Sequence, residues 1–316
     1  MKALITGYSG QDGSYMAELL LSKGYEVHAI VRRLSTPNLS RLGDSVNNVT
    51  IHYGDMADAG ALNAILKEVQ PDEVYNFAAM SQVRVSYDVP AYTLDITGVG
   101  FARLLEAVRA NCPEAKIYQA CSSEMFGKVQ ETPQKETTPF YPRSPYGIAK
   151  LATFYLAKSY REGYGMKVYT GILFNHESPR RGEEFLSKKV VKAAVRIKKG
   201  LQDKLVLGNL SAKRDWGSAK EYMEWVWTIV QGEPDDFVIA TGETHSVEEF
   251  VEQTFNELGL NWKDYVEYDQ DLTRPAEVDL LLGDYSKSKE KLGFEPKVKF
   301  TDLITWMVEE ELKSYV

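Results

Sequence analysis

Ala3-Leu4-Ile5-Thr6-Gly7-Tyr8-Ser9-Gly10-Gln11-Asp12-Gly13 decides the fold. A short apolar run leads straight into glycines at GxxGxxG spacing, and a helical pattern, Tyr15 to Ser22, follows. Strand, glycine turn and helix in that order open a βαβ unit. Glycines at these positions allow a tight turn, close approach of backbone to a pyrophosphate, and close helix-to-strand packing. The start of the helix adds free N–H groups and a partial positive charge. Gly7, Gly10 and Gly13, with Gln11 and Asp12 between them, are therefore the candidate dinucleotide loop.

Working outward, β-branched runs at Val27 to Val31, Val49 to Tyr53, Glu73 to Phe77, Lys116 to Ala120 and Lys167 to Leu173 alternate with helical segments. That alternation predicts an α/β fold, a doubly wound parallel sheet of Rossmann type. Beyond residue 175 the alternation loosens into helices over Glu184 to Lys199, Ala219 to Gln231 and Val247 to Leu258, with short strands at Lys204 to Leu207 and Phe237 to Ala240. Helices over Ser286 to Leu292 and Asp302 to Leu312 complete the chain. No Gly/Ser linker intervenes, so a second domain is expected to be woven onto the first. The expected division is 1–174, with additions from 212–241, for the cofactor, and 175–211 with 242–316 for a substrate.

The 316 residues are 44% hydrophobic, enough to bury a sizeable core, and the net charge of −8 argues against a broad basic face for nucleic acid or an anionic membrane. No run of about 18 apolar residues predicts a spanning helix. Cys112 and Cys121 cannot build a disulfide framework, and no His stands near them to make a metal site, so no metal is expected. They read as reduced thiols of a soluble, cytoplasmic protein.

The end of the second strand reads Val31-Arg32-Arg33, where a chain preferring NAD would carry an acidic residue for the ribose hydroxyls. Guanidiniums pair with a 2′-phosphate in bidentate geometry, so the sequence favours NADP; the bland alternative is a solvated charge pair. Asp55, after the third strand, would accept from the adenine amino group or cap the helix starting near Asp58.

Ser144-Pro145-Tyr146-Gly147-Ile148-Ala149-Lys150 opens a long helix, with Ser144 as N-cap and Pro145 in the first turn. Tyr146 and Lys150, four apart, share a helix face, so the ammonium is expected to lower the phenol's pKa and prepare a base for a hydroxyl proton. The fifth strand runs into Ser122 and Glu124, at the edge where ligands sit in such sheets. Ser122 would bond the reacting hydroxyl. Glu124 would move a proton beside a newly formed ketone, or else only cap the turn after the strand.

With these motifs the chain resembles the extended short-chain dehydrogenase/reductases and, within them, the GDP-mannose 4,6-dehydratases. The resemblance rests further on Phe174-Asn175-His176-Glu177-Ser178-Pro179-Arg180-Arg181-Gly182, Leu207-Gly208-Asn209-Leu210, Ala212-Lys213-Arg214-Asp215-Trp216-Gly217 and the segment from Arg274 to Asp284. It implies that NADP oxidises C4 of GDP-mannose, water leaves across C5 and C6, and the hydride returns to C6. It implies Tyr146 as base at O4, Lys150 as its partner and ribose ligand, Ser122 as hydrogen-bonding hydroxyl and Glu124 as acid/base. It also assigns Phe77, Ala78, Ala79, Ser81 and Tyr92 to the cofactor wall, and His176 and Arg181 to the nicotinamide side. Asn175, Lys189, Arg214, Arg274 and Glu277 would hold the sugar nucleotide. A homo-oligomer, dimer or tetramer, follows from the same resemblance, with the loop after Arg33 reaching a neighbour. Ser122 departs from the family's usual Thr, and Tyr8-Ser9 from its usual Ile-Thr.

Two rivals remain at this stage. A nucleotide-sugar 4-epimerase or 4-reductase shares the glycine loop, Tyr146 and Lys150 but has no use for Glu124. A non-catalytic dinucleotide-binding protein would have no use for Tyr146 and Lys150.

Overall fold

The computed structural model describes residues 1–33, 41–42, 47–272 and 275–315. Seven parallel strands form the central sheet in the order β11-β6-β5-β4-β1-β2-β3. They are β1 (Lys2–Thr6), β2 (Glu26–Val31), β3 (Val49–Tyr53), β4 (Glu73–Asn76), β5 (Lys116–Ser122), β6 (Val168–Leu173) and β11 (Asp236–Ile239). Chain order reverses between β1 and β4, the crevice where ligands settle in such sheets.

Strand periodicity divides β1 between two cores: Ala3 and Ile5 join one cluster, Leu4 the other. The first cluster is covered by α1 (Gln11–Ser22) and α8 (Ala219–Gln231). The second is covered by α2 (Ala59–Val69) and α5 (Gly100–Asn111), with α6 (Pro145–Tyr164) beside them. Both faces are shielded, so the inner strands are buried almost throughout, and the polar side chains on them, such as Glu73, Asn76 and Gln119, are buried too. Short helical turns α3 (Val83–Ser86) and α4 (Pro90–Thr93) lie between β4 and α5.

A third cluster gathers α7 (Leu186–Lys198), α9 (Val247–Glu257) and α11 (Phe300–Lys313), with β8 (Leu205–Leu207) and Trp216. Three two-stranded ladders tie this part together. In them β7 (Asn175–Glu177) pairs parallel with β10 (Trp216–Ser218), β9 (Lys213–Arg214) antiparallel with β12 (His245–Ser246), and β8 parallel with β13 (Val266–Tyr268). Helix α10 (Ser286–Leu292) ends in a left-handed Gly293. No described helix is long and apolar enough to cross a membrane.

Most expected elements stand within two residues of their predicted bounds. Helix α1 starts earlier than the pattern Tyr15 to Ser22 indicates, because extended Gly10 is its N-cap and the glycine loop folds directly into its first turn. Ser144 caps α6 as expected, accepting from the Gly147 N–H at 3.0 Å, with Pro145 at its start. Asp55 accepts from the Ala57 N–H at 2.8 Å, while Asp58, not Asp55, caps α2 through the Ala61 N–H at 2.9 Å. Cys112 and Cys121 are free and buried, and burial pushes both thiols up, to about 11 and about 12.

Candidate active site

The glycine loop is packed too closely for side chains. A Cβ on Gly13 would lie 2.4 Å from the Gly7 carbonyl oxygen, and one on Gly7, at φ +69°, 2.8 Å from the Ala78 nitrogen. Neither position tolerates a side chain. Gly10 offers no side chain to the first amides of α1, which begin at the cleft wall with Gln11, Asp12 and Gly13.

A cleft of about 500 Å³ runs from this loop across the C-terminal ends of β1, β4, β5 and β6. It brings together Gly7, Gly10, Gln11, Asp12, Gly13, Phe77, Ala79, Ser81, Ser122, Glu124, Tyr146, Lys150, Asn175, His176, Arg181 and Lys189. Arg32, Arg33, Asp55, Ala78 and Tyr92 lie outside its lining, as do Arg214 and Glu277. Arg32 nevertheless meets Tyr92, donating to its hydroxyl at 3.0 Å. Arg214 is buried on β9 and donates to the Lys213 carbonyl at 2.9 Å. Arg274, and the loop after Arg33 up to residue 40, lie outside the described residues.

Four chemically active side chains converge in the cleft. Ser122 ends β5, and its hydroxyl accepts from the Glu124 N–H at 3.2 Å and bonds the Tyr146 phenol. Glu124 is 8% exposed. The turn after β5 is capped by Ser122, so the bland reading of Glu124 as a cap does not describe this turn. Lys150, one helical turn below Tyr146, donates its Nζ–H to the Ala120 carbonyl at 2.6 Å and sits 5.9 Å from the Tyr146 ring centroid.

The expected lowering of the Tyr146 pKa by Lys150 is not what the isolated chain has. Burial pushes the phenol well above its ordinary range, the Glu124 and Asp12 carboxylates push the same way, and the Ser122 hydrogen bond and the Arg181 charge oppose them. Burial lowers the Lys150 ammonium instead. The shared helix face is real; the ammonium points at a carbonyl.

Across the cleft, His176 on β7 faces Asp12, with Nε2 2.9 Å from Oδ2, and its Nδ1 lies 2.7 Å from the Phe174 carbonyl oxygen. Gln11 donates to both Asp12 Oδ1 and the His176 carbonyl at 3.1 Å, and accepts from Ser178 at 2.8 Å. Burial acts to raise the Asp12 carboxyl, but the His176 charge and hydrogen bond outweigh it and hold it at about 2. Burial likewise acts to lower His176, and Asp12 raises it above its ordinary value. Arg181 pairs with Glu177 at 3.1 Å and stacks 3.8 Å over the Phe185 ring. Lys189 donates to the Val206 carbonyl at 2.9 Å, and burial lowers its ammonium.

Sequence reasoning missed Arg41, Gln82, Val83, Arg84 and Phe185, which also line the cleft. Arg41 reaches the loop from downstream, donating to the Ser9 carbonyl at 3.3 Å. Neither Arg41 nor Arg84 belongs to a motif that could have marked it.

A doubly wound sheet with a glycine turn after β1, and serine, tyrosine and lysine at the ends of β5 and α6, defines the epimerase and dehydratase branch of the short-chain dehydrogenase/reductases. A solved structure of UDP-glucose 4-epimerase from Thermus thermophilus, in complex with NAD, superposes with a TM-score of 0.87 at 25% identity over 98% of this chain and 99% of that one. GDP-mannose 4,6 dehydratase 2 of Arabidopsis thaliana is 53% identical over 98% of this chain and 87% of its own length. The GDP-mannose 4,6-dehydratase of Vibrio cholerae is 47% identical over 99% of this chain and 94% of its own. A sequence profile of the family described as GDP-mannose 4,6 dehydratase matches residues 4–307. The chain belongs to the GDP-mannose 4,6 dehydratase family and is an enzyme.

Proposed function

We propose that the protein converts GDP-mannose to GDP-4-keto-6-deoxymannose, using NADP held by the glycine loop, with Tyr146, Lys150, Ser122 and Glu124 as its working groups. The observation that carries this reading is the position of Glu124, a buried carboxylate in the same cleft as the phenol and the amine. A 4-epimerase or 4-reductase needs no second acid/base there.

The chain's own groups fit a nicotinamide dinucleotide. Uncapped α1 amides and the side-chain-free Gly7 and Gly13 suit its diphosphate. The NAD complex of the Thermus thermophilus epimerase supports the same class of cofactor. NADP rather than NAD is favoured by Arg32 and Arg33, whose guanidiniums suit a 2′-phosphate. Phe77, Ala78, Ala79, Ser81, Tyr92, Asp55, His176 and Arg181 are assigned to the cofactor's surroundings. Asn175, Lys189, Arg214, Arg274 and Glu277 are assigned to the sugar nucleotide.

A nicotinamide dinucleotide held by the glycine loop would supply hydride exchange, between C4 and C6 of the hexose. Tyr146 removes the O4 proton through its Oη, with Ser122 bonded to the same oxygen. Lys150 supplies the nearby positive charge. Glu124 takes the C5 proton, made acidic by the adjacent ketone, and gives a proton to the departing O6. The proton taken from O4 balances the one that C5 regains, and the hydride lost at C4 equals the one gained at C6, so no external reductant is consumed.

In this reading 1–174 with 212–241 holds the cofactor, and 175–211 with 242–316 holds the sugar nucleotide. The separate apolar cluster under α7, α9 and α11 supports a second unit, with Ala212 and Trp216 joining it from the 212–241 stretch. The reading extends to a cytoplasmic homo-oligomer, dimer or tetramer. The test is to incubate the purified protein with GDP-mannose and no added NADPH, then weigh the product. A sugar nucleotide lighter by one water is expected; unchanged mass, or a need for stoichiometric NADPH, overturns the reading.

A further inference from the structure

We infer that His176 is a positioning residue for this chemistry: carried as an imidazolium, it fixes the Asp12 carboxylate against β7 and balances its charge beside Tyr146 and Lys150. The inference rests on the proposed roles of those two residues. Its argument is geometric. The neighbour of Nδ1 is a main-chain carbonyl oxygen at 2.7 Å, and that of Nε2 a carboxylate oxygen at 2.9 Å. The main-chain oxygen cannot donate, and Asp12, held ionised by His176, Gln11 and Arg181, cannot either, so both nitrogens carry protons and the ring is charged.

The surroundings hold that arrangement in place. Gln11 from α1 bonds Asp12 and the His176 main chain at once, and Ser178 anchors Gln11. The Tyr222 ring of α8 stacks on the imidazole with centroids 5.3 Å apart. Arg181 is the other charge facing the ring, and its repulsion is outweighed by Asp12.

Asp12 also bears on the reacting pair. Its charge opposes ionisation of Tyr146 and favours the Lys150 ammonium. Glu124 and Arg181 face Tyr146 as well, and Cys121 faces Lys150. With two carboxylates against one guanidinium around the phenol, the imidazolium decides whether Asp12 adds a net negative charge there. A neutral residue at 176 would leave Asp12 uncompensated and make the phenol harder to ionise.

The experiment is the pH profile of kcat for dehydration of GDP-mannose by the intact protein, His176→Gln, and His176→Gln combined with Asp12→Asn. In His176→Gln the acid limb should move up by about one pH unit. In the double variant it should return toward the original position, whatever the height of the profile. A merely structural histidine would lower the profile without moving the limb, and that result overturns the inference. A second measurement does not depend on activity or on the variants folding: ring-nitrogen NMR of the unsubstituted protein with labelled histidine. One histidine should hold both ring protons to a higher pH than an ordinary imidazole does; four rings that all lose a proton in the ordinary range overturn the inference. Should the unsubstituted protein leave GDP-mannose untouched, the proposed function falls while the NMR result still decides the charge of His176.

Discussion

Gly147 packs its α-carbon against the main chain of Glu124: a methyl built on it would lie 2.7 Å from the Glu124 carbonyl oxygen and 3.2 Å from Pro142 Cβ. This contact sets the spacing between the helix that carries Tyr146 and the turn that carries Glu124. Phenol and carboxylate are therefore held by a backbone approach that only glycine permits.

Gly147→Ala tests that contact. Alanine normally favours a helix by about 1 kcal/mol. Here the obstacle is a main-chain oxygen, which cannot swing aside, so a clash costing about 1–3 kcal/mol should win. Displacing Tyr146 from Glu124 should cut kcat about a hundredfold. Steady-state kinetics and a thermal melt check both; an unchanged kcat would show that the spacing is not set here.

Glu124→Gln keeps the shape and removes the acid/base. Hydride should still leave C4, seen as nicotinamide absorbance in a single turnover, while water loss falls by about 10²–10⁴-fold. Formation of the 6-deoxy product at the unaltered rate would remove Glu124 from the mechanism.

The two arginines after β2 decide between cofactors. Replacing Arg32 and Arg33 with alanine removes the charges that suit a 2′-phosphate, together with the Arg32 contact to Tyr92. NADP affinity measured by titration should drop by about 10²-fold, at about 1.4 kcal/mol for each arginine, while NAD affinity changes little. Equal weakening of both would reject the assignment.

Asp215 gives a pH-dependent prediction. It is fully buried, and burial lifts its carboxyl to about 6 from 3.8, although Thr241, Gly242 and Gly283 all donate to it. A raised folded pKa means that this group's contribution is complete below the unfolded value and is lost as pH rises through the folded one. The lift corresponds to about 3 kcal/mol. The penalty of Asp215→Asn, from urea unfolding, should therefore be largest near pH 4 and shrink on approaching pH 7. A penalty that grows with pH would contradict the shift.

The central sheet was legible because β-branched runs of ordinary length, separated by glycine and helix signals, carry their own periodicity. The cofactor loop and the Tyr146–Lys150 face were legible for the same reason: each is local in sequence. The β7–β10 ladder was not, since Asn175–Glu177 and Trp216–Ser218 are short, mixed in polarity and far apart in the chain. Arg41 and Arg84 escaped notice because the cleft recruits them from a turn and from the one-turn helix α3, outside any motif. The direction of the Lys150 ammonium was beyond helical spacing, which sets a shared face but not which oxygen on it the side chain meets.

Strand β11, at the edge of the sheet, and α8, which closes the face over α1, both come from residues after 218. During synthesis the strands up to β6 therefore emerge before α8 has completed the cover over the α1 face. A nascent chain stopped near residue 200 would expose β6 as an unpaired edge and leave the apolar side of α1 wet, a surface prone to self-association. Truncation from the C-terminal side should thus yield aggregates rather than a smaller nucleotide-binding module.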